Sequence, residues 1–216
     1  MDKENQTEKE IFSRDIIEFC TVAVEFCKFV EYTDHLERKD FVEKLTKILP
    51  LMYLKVSMLN PGEALYDGIL EDFVTEEDYN NIYGLVSHKM GQYDSYLEVF
   101  HQDIQLSDTP IAATISENIA DIYQDIKNFT LNFEIGTHEV MEEAVADVVD
   151  NFRTRWGQTL VNVLRALHNA LYFESLEEDD DNKKTKSNKN NTETPSSRGY
   201  FGMNDNELNT DYSDLL

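Results

Sequence analysis

The sequence predicts an all-α protein: a single helical bundle of five or six helices, with a long C-terminal spine helix and a disordered acidic tail. Three observations predict it. Apolar residues recur at alternating spacings of four and three through most of residues 8–175. Capping residues, Gly and Pro punctuate those stretches. Beyond Glu177 the run EEDDDNKKTKSNKNNTETPSS carries no core-forming residue, so it cannot bury enough apolar surface to fold. The division is a helical domain at 8–175 and a tail at 176–216.

The first helix is expected from Thr7 to Tyr32. Phe12, Ile16, Phe19, Ala23, Phe26 and Val30 form one face, and Ile17, Cys20, Val24 and Cys27 widen it. Asp34, with Glu37 three residues on, can start the second helix. Its face reads Phe41, Leu45, Ile48, Met52 and Val56. Pro50 removes a hydrogen bond to the Thr46 carbonyl, which predicts a kink or a break into two helices.

Asn60-Pro61-Gly62 signals a turn, and residues 63–74 read as irregular or one helical turn. Thr75 can cap a third helix whose first turn holds Glu76, Glu77 and Asp78, favourable at the positive end of the helix dipole. The apolar face Tyr79, Ile82/Tyr83, Val86, Met90, Tyr93, Leu97 and Phe100 carries this helix to residue 100, with Gly84 and Gly91 as weak points. Ser107 to Pro110 is a loop that can start a helix.

The strongest pattern follows: Ile115, Ile119, Ile122, Ile126, Phe129 and Phe133, ended by Gly136. Thr137 can cap the spine, His138 to Ser175, with Met141, Val145, Val148, Phe152, Trp156, Leu160, Val163, Leu167 and Ala170 on one face. Such a helix is roughly 55 Å long at about 1.5 Å per residue. Gly157 costs about 1 kcal/mol relative to Ala within a helix, and close approach of a neighbouring helix would explain it. Tyr200, Phe201, Met203, Leu208, Tyr212, Leu215 and Leu216 near the end read as a solvated terminus or a short linear motif.

Charge narrows the function. The formal net charge is −24. Between Val56 and Phe152 there are twenty acidic side chains and two basic ones, Lys89 and Lys127. So negative a surface repels phosphate backbones and anionic lipid heads and steers towards basic partners. The expectation is no direct nucleic-acid binding by the core and no membrane association. The N-terminus MDKENQTEKE has no apolar core of a signal peptide. No apolar run approaches the roughly 18 residues of a membrane span. Cys20 and Cys27 stand two helical turns apart, about 10.5 Å, too far for a disulfide. Buried reduced thiols suit a cytoplasmic location.

Chemical motifs are sparse. The chain has five histidines: His35, His88, His101, His138 and His168. A di-iron bundle needs two Glu-x-x-His motifs, and only Glu98-x-x-His101, with Asp94 one turn earlier, is present. HExxH, GxGxxG, the Walker loop and GxSxG are all absent. No cofactor is expected, no catalytic residue is assigned, and Glu98 and His101 are the metal-ligand candidates, with Asp94 as a third potential ligand beside them. One constellation stands out. Asp121 and Asp125 lie four apart around Tyr123, while Arg153, Arg155 and Arg165 lie on the spine near Trp156 and His168. Antiparallel packing across Gly136 places Asp125 opposite Asp147 and brings Arg153 and Arg155 within a turn of Asp121. The structural reading is Arg–carboxylate pairing between the two helices. The functional reading is a polar pocket near Tyr123, Trp156 and His168.

Ala120-Asp121-Ile122-Tyr123-Gln124-Asp125-Ile126-Lys127, Arg155-Trp156-Gly157-Gln158 and Leu164-Arg165-Ala166-Leu167-His168 resemble the bacterial family DUF5063. So do Phe73-Val74-Thr75-Glu76-Glu77-Asp78-Tyr79 and Asp94-Ser95-Tyr96-Leu97-Glu98-Val99-Phe100. The resemblance covers roughly residues 10–173 and departs from the family at Thr154-Arg155. It implies a small helical cytoplasmic protein of bacteria, of the Bacteroidota, with no established activity. A neighbouring exonuclease gene associated with the family points towards RNA metabolism. The leading functional expectation is a non-catalytic protein-interaction or adaptor module for an unknown basic protein. The alternatives are a small-molecule or metal-dependent helical-bundle enzyme with a site near Tyr123 and Trp156, and an accessory factor in RNA metabolism.

Overall fold

Ser13, in extended conformation (φ −60°, ψ 154°), begins the first regular helix, α1 (Arg14–Glu31). The structure is a computed structural model that describes residues 11–60, 70–98, 111–173 and 176. All but Leu176 of the tail expected at 176–216, the Ser107–Pro110 loop, His101 and Phe100 lie outside the described residues. The expected helix from Thr7 is therefore corrected: Ser13 interrupts it, and Phe12 is 52% exposed rather than on the core face. Phe12 instead meets His138 edge-on, with centroids 5.9 Å apart. Phe19, Ala23, Phe26 and Val30 are buried as their spacing requires. Of the second stripe, Cys27 is buried, while Ile17 and Val24 face solvent.

Helix α2 (Arg38–Ser57) starts four residues later than Asp34 and runs unbroken through Pro50. Pro50 is exposed, so water can hydrate the carbonyl it leaves unbonded and no break into two helices is needed. Phe41, Leu45, Met52 and Val56 fill the core from this helix.

Residues 70–75 have no regular structure. Thr75 then starts α3 (Glu76–Met90) with a reciprocal capping box: its hydroxyl accepts from the Asp78 amide, and the Asp78 carboxylate accepts from the Thr75 amide. The helix stops at Met90, ten residues short of the expected end. Gly91 takes φ 56°, a left-handed conformation that glycine adopts without a Cβ clash, and a single 3₁₀ turn (Gly91–Tyr93) follows. The chain then extends as β1 (Ser95–Leu97), antiparallel to β2 (Ala112–Thr114), with Tyr96 opposite Ala113. This two-stranded ribbon was not foreseen, because Tyr93 and Leu97 continue the helical spacing.

Thr114 caps α4 (Ile115–Ile135) by accepting from the Glu117 amide. Ile115, Ile119, Ile122, Ile126 and Phe129 are all buried. This helix packs against α1 and α3, and against both halves of the spine, while α2 lies along the spine's second half. A Cβ at Gly136 would fall 2.6 Å from the Asn132 carbonyl and 2.9 Å from Val140. That position is small because the turn into the spine is close, not because of its backbone angles.

The spine is one continuous rod in three parts: α5 (His138–Asn151), a π-turn (Phe152–Trp156) and α6 (Gly157–Phe173). The extra residue of a π-turn is a local departure that periodicity does not register. It explains Gly157. A Cβ there would fall on the Phe152 carbonyl and 2.8 Å from the Phe152 ring. The constraint comes from the spine itself, not from a neighbouring helix as expected. Among the described residues no helix is long and apolar enough to cross a membrane.

Candidate functional site

Two polar stripes flank the seam between α4 and α5. On α4, Asp121, Asp125, Asn128 and Asn132 follow the same 4-3-4 spacing as the isoleucines, on the adjacent face. On α5, Glu143, Asp147 and Asn151 stand four apart, and Arg155 continues the row into the π-turn. A third wall comes from the unstructured segment at Leu70, Glu71 and Asp72. Together they enclose a cleft of about 640 Å³.

The asparagines build that third wall. Asn128 Oδ1 accepts from the amides of Phe73 (2.9 Å) and Val74 (3.0 Å). Asn132 Oδ1 accepts from the Glu71 amide (3.2 Å), and its Nδ2 donates to the Glu71 carbonyl (2.9 Å). An extended segment without a strand partner needs its backbone groups satisfied, and these two side chains satisfy them. The result holds Glu71 and Asp72 opposite Asp147.

Among the described lining residues, six carboxylates (Glu71, Asp72, Asp121, Asp125, Glu143 and Asp147) face one cation, Arg155. Arg155 Nη2 donates to Asp125 Oδ1 at 2.6 Å. The Arg155 side chain is 62% exposed and that of Asp125 15%. Burial pushes the Asp125 carboxyl up to about 6, aided by Asp147 and Asp121 and opposed by Arg155. Burial also raises Asp147, against the stabilising amide of Asn151. Oε2 of Glu143 is buried and has no hydrogen-bond donor among the described residues. Trp156 is buried at the cleft wall, its indole N–H donating to the Val148 carbonyl (3.1 Å).

The constellation of Asp121, Tyr123, Asp125, Arg153, Arg155, Trp156, Arg165 and His168 is divided by the structure. Asp121, Asp125, Arg155 and Trp156 meet at the cleft. The pairing across the hairpin is Arg155 with Asp125, while Asp121 accepts from the Tyr79 hydroxyl at 2.8 Å. Burial, then that carboxylate, holds the Tyr79 hydroxyl well above its usual range. Tyr123 does not reach the cleft: it is 4% exposed and donates to Glu31 of α1 at 2.9 Å. The same Glu31 oxygen takes Lys127 at 2.8 Å. Arg153 is exposed and does not line the cleft. Arg165 donates to the Leu97 carbonyl (3.2 Å), and His168 packs on Tyr172 with centroids 4.7 Å apart.

Glu98 accepts from Asn162 Nδ2 (3.3 Å), and its proposed partner His101 lies outside the described residues. Asp94 is buried and accepts from the amide (2.8 Å) and hydroxyl (2.7 Å) of Ser116. No group of three metal-ligating side chains occurs among the described residues. Both thiols are pushed up to about 12 by burial, so neither is a nucleophile near neutral pH.

Glu71, Asp72, Asn128, Asn132, Glu143, Asp147 and Asn151 were not read from the sequence as site residues. The signal for most was present as a polar 4-3-4 row beside the isoleucines and a four-residue polar row on α5.

No curated protein matches the chain. A crystal structure of protein BF1032 from Bacteroides fragilis is similar, with 41% identity and a TM-score of 0.67, over 76% of this chain and 96% of that one. The family DUF5063, a domain of unknown function, matches residues 10–173, and the chain belongs to that family.

Proposed function

We propose that residues 8–175 form a non-catalytic, cytoplasmic protein-interaction module whose acidic cleft receives a basic segment of a partner, with 176–216 as a disordered tail. The observation that carries this reading is the imbalance at the cleft: six carboxylates from three chain segments around one guanidinium. Such a cleft concentrates negative potential and speeds the approach of cationic groups. The low exposure of Asp125 and the buried Glu143 oxygen separate it from a merely solvated acidic face. Phosphate is repelled by the same field, so a role in RNA metabolism rests on the family resemblance alone.

The test is affinity capture on the purified chain at low and high salt, with Asp72→Asn/Asp147→Asn as control. Specific basic proteins retained at about 50 mM salt and lost at about 500 mM, and lost in the double variant, support the reading. No specific partner at either salt refutes it.

A second reading, a small-molecule enzyme, draws on one observation: the Asp125 carboxyl raised to about 6 beside Trp156 in a cleft. A carboxyl held near neutrality suits general acid–base work. The dispersal of Tyr123, Arg153, Arg165 and His168 removes half of the eight residues of that constellation. A thermal-shift screen of small cationic and neutral metabolites separates the two readings.

A further inference from the structure

Arg155 is the only cation among the described residues lining the cleft, and its pairing is lopsided. Its guanidinium reaches Asp125 through one hydrogen bond of 2.6 Å, although its fork can present two parallel N–H groups to a carboxylate. The arginine is largely in water, while the aspartate is at the protein's interior edge. The cation can therefore withdraw into solvent at little cost. The carboxylate cannot move with it, because α4 is fixed by its buried isoleucines. A second feature points to a missing donor. Glu143 lines the same cleft, and its Oε2 is buried with no hydrogen-bond partner among the described residues; a buried acceptor in that state is unfavourable until an N–H reaches it.

We propose that Arg155 is a built-in competitor for the cleft, which an arginine side chain of the partner displaces from Asp125. The inference rests on the reading of the cleft as the docking site for a basic segment and adds two things to it. The recognised group is a guanidinium, whose several N–H groups can serve Asp125 and the unpaired Glu143 oxygen, whereas an ammonium is a compact point charge. The resting cleft is also partly closed by its own arginine, so binding is an exchange of one guanidinium for another.

The experiment is calorimetric titration of the full chain with a short peptide carrying two arginines, and with its lysine counterpart, at about 50 mM salt. Wild type, Arg155→Gln, Arg155→Lys and Arg153→Gln are compared. Arg153 is exposed and two residues from Arg155, so its variant makes the same charge change away from the cleft. Arg155→Gln should bind the arginine peptide about five-fold more tightly than wild type, the size of an exposed ion pair. Arg155→Lys should fall between them, Arg153→Gln should match wild type, and the lysine peptide should bind more weakly throughout. Unchanged or weaker binding by Arg155→Gln overturns the proposal, as does equal tightening by Arg153→Gln, which would mark a net-charge effect. Wild-type binding with no Arg155 effect removes this inference alone. No binding by wild type or by Arg155→Gln removes the cleft reading with it.

Discussion

Arg155 and Asp125 are joined at 2.6 Å across the α4–α5 hairpin, yet the pair leaves the carboxyl of Asp125 raised to about 6 rather than lowered. Burial and the neighbouring carboxylates outweigh an arginine that water screens from one side. The charge on Asp125 is therefore unfavourable in the folded state despite its partner.

Its consequence for stability has a definite sign. The folded chain holds this proton more tightly than the unfolded chain, whose Asp125 titrates near the ordinary 3.8. The contribution is fully present below that value and is lost as pH rises through about 6. Asp125→Asn should therefore be more stable than wild type at pH about 7.5, by about 1–2 kcal/mol after allowing for the lost arginine contact. The advantage should shrink towards zero near pH 4.5. Thermal melts of both proteins across that range check it, and a pH-independent difference would contradict the assignment.

The asparagines of α4 make a prediction about local stability. Asn128→Ala removes the side-chain oxygen that takes the Phe73 and Val74 amides. Those two amides should lose hydrogen-exchange protection by about ten-fold, with a loss of about 1–2 kcal/mol in overall stability. Asn128→Asp keeps an acceptor in place and should protect them. Exchange that is equally fast in wild type would mean that the segment is not held by this side chain.

Much of the bundle was legible in residue spacing. The row from Ile115 to Phe129 is buried as read, and Thr75 caps the helix it was expected to cap. The failures share a cause: periodicity reports which face is apolar, not whether the backbone stays helical. Tyr93 and Leu97 continue the stripe of α3, but Gly91 turns positive and the chain leaves as a strand. Ser13 interrupts the helix expected from Thr7 in the same way. The π-turn at Phe152–Trp156 hides inside an unbroken apolar row. Half of the site was readable because Asp125 and Arg155 lie on consecutive helices whose antiparallel packing follows from the short turn at Gly136. The other half comes from Glu71 and Asp72, in a segment with no period. They are held at the cleft by the Asn128 and Asn132 side chains.

Two glycines of the bundle should respond oppositely to alanine. A Cβ at Gly84 meets nothing within 4 Å, so Gly84→Ala should stabilise α3 by about 0.5–1 kcal/mol through helix propensity. At Gly157 the added methyl collides with the carbonyl and ring of Phe152. Gly157→Ala should destabilise by about 1–3 kcal/mol, as overpacking does. Urea unfolding measures both. Stabilisation by the second substitution would show that the π-turn relaxes to ordinary helix at no cost.

Asp94 separates a structural carboxylate from a metal ligand. Four residues before Glu98 and separated from it by β1, it completes the trio of candidate ligands read from the sequence, but its two oxygens are engaged by the amide and hydroxyl of Ser116. Its own carbonyl takes the Ile115 amide at 2.8 Å, so this residue ties the 3₁₀ turn to the start of α4. Asp94→Ala leaves a fully buried amide without its acceptor and removes negative charge from a helix N-terminus, a loss of about 2–3 kcal/mol. Asp94→Asn keeps one acceptor oxygen and should lose about half as much. If the carboxylate acts only in this way, a chelator should leave the wild-type melting temperature unchanged, and added zinc or manganese should not raise it. A melting temperature that rises with either metal in wild type, but not in Asp94→Asn, would show that the carboxylate leaves Ser116 for a cation.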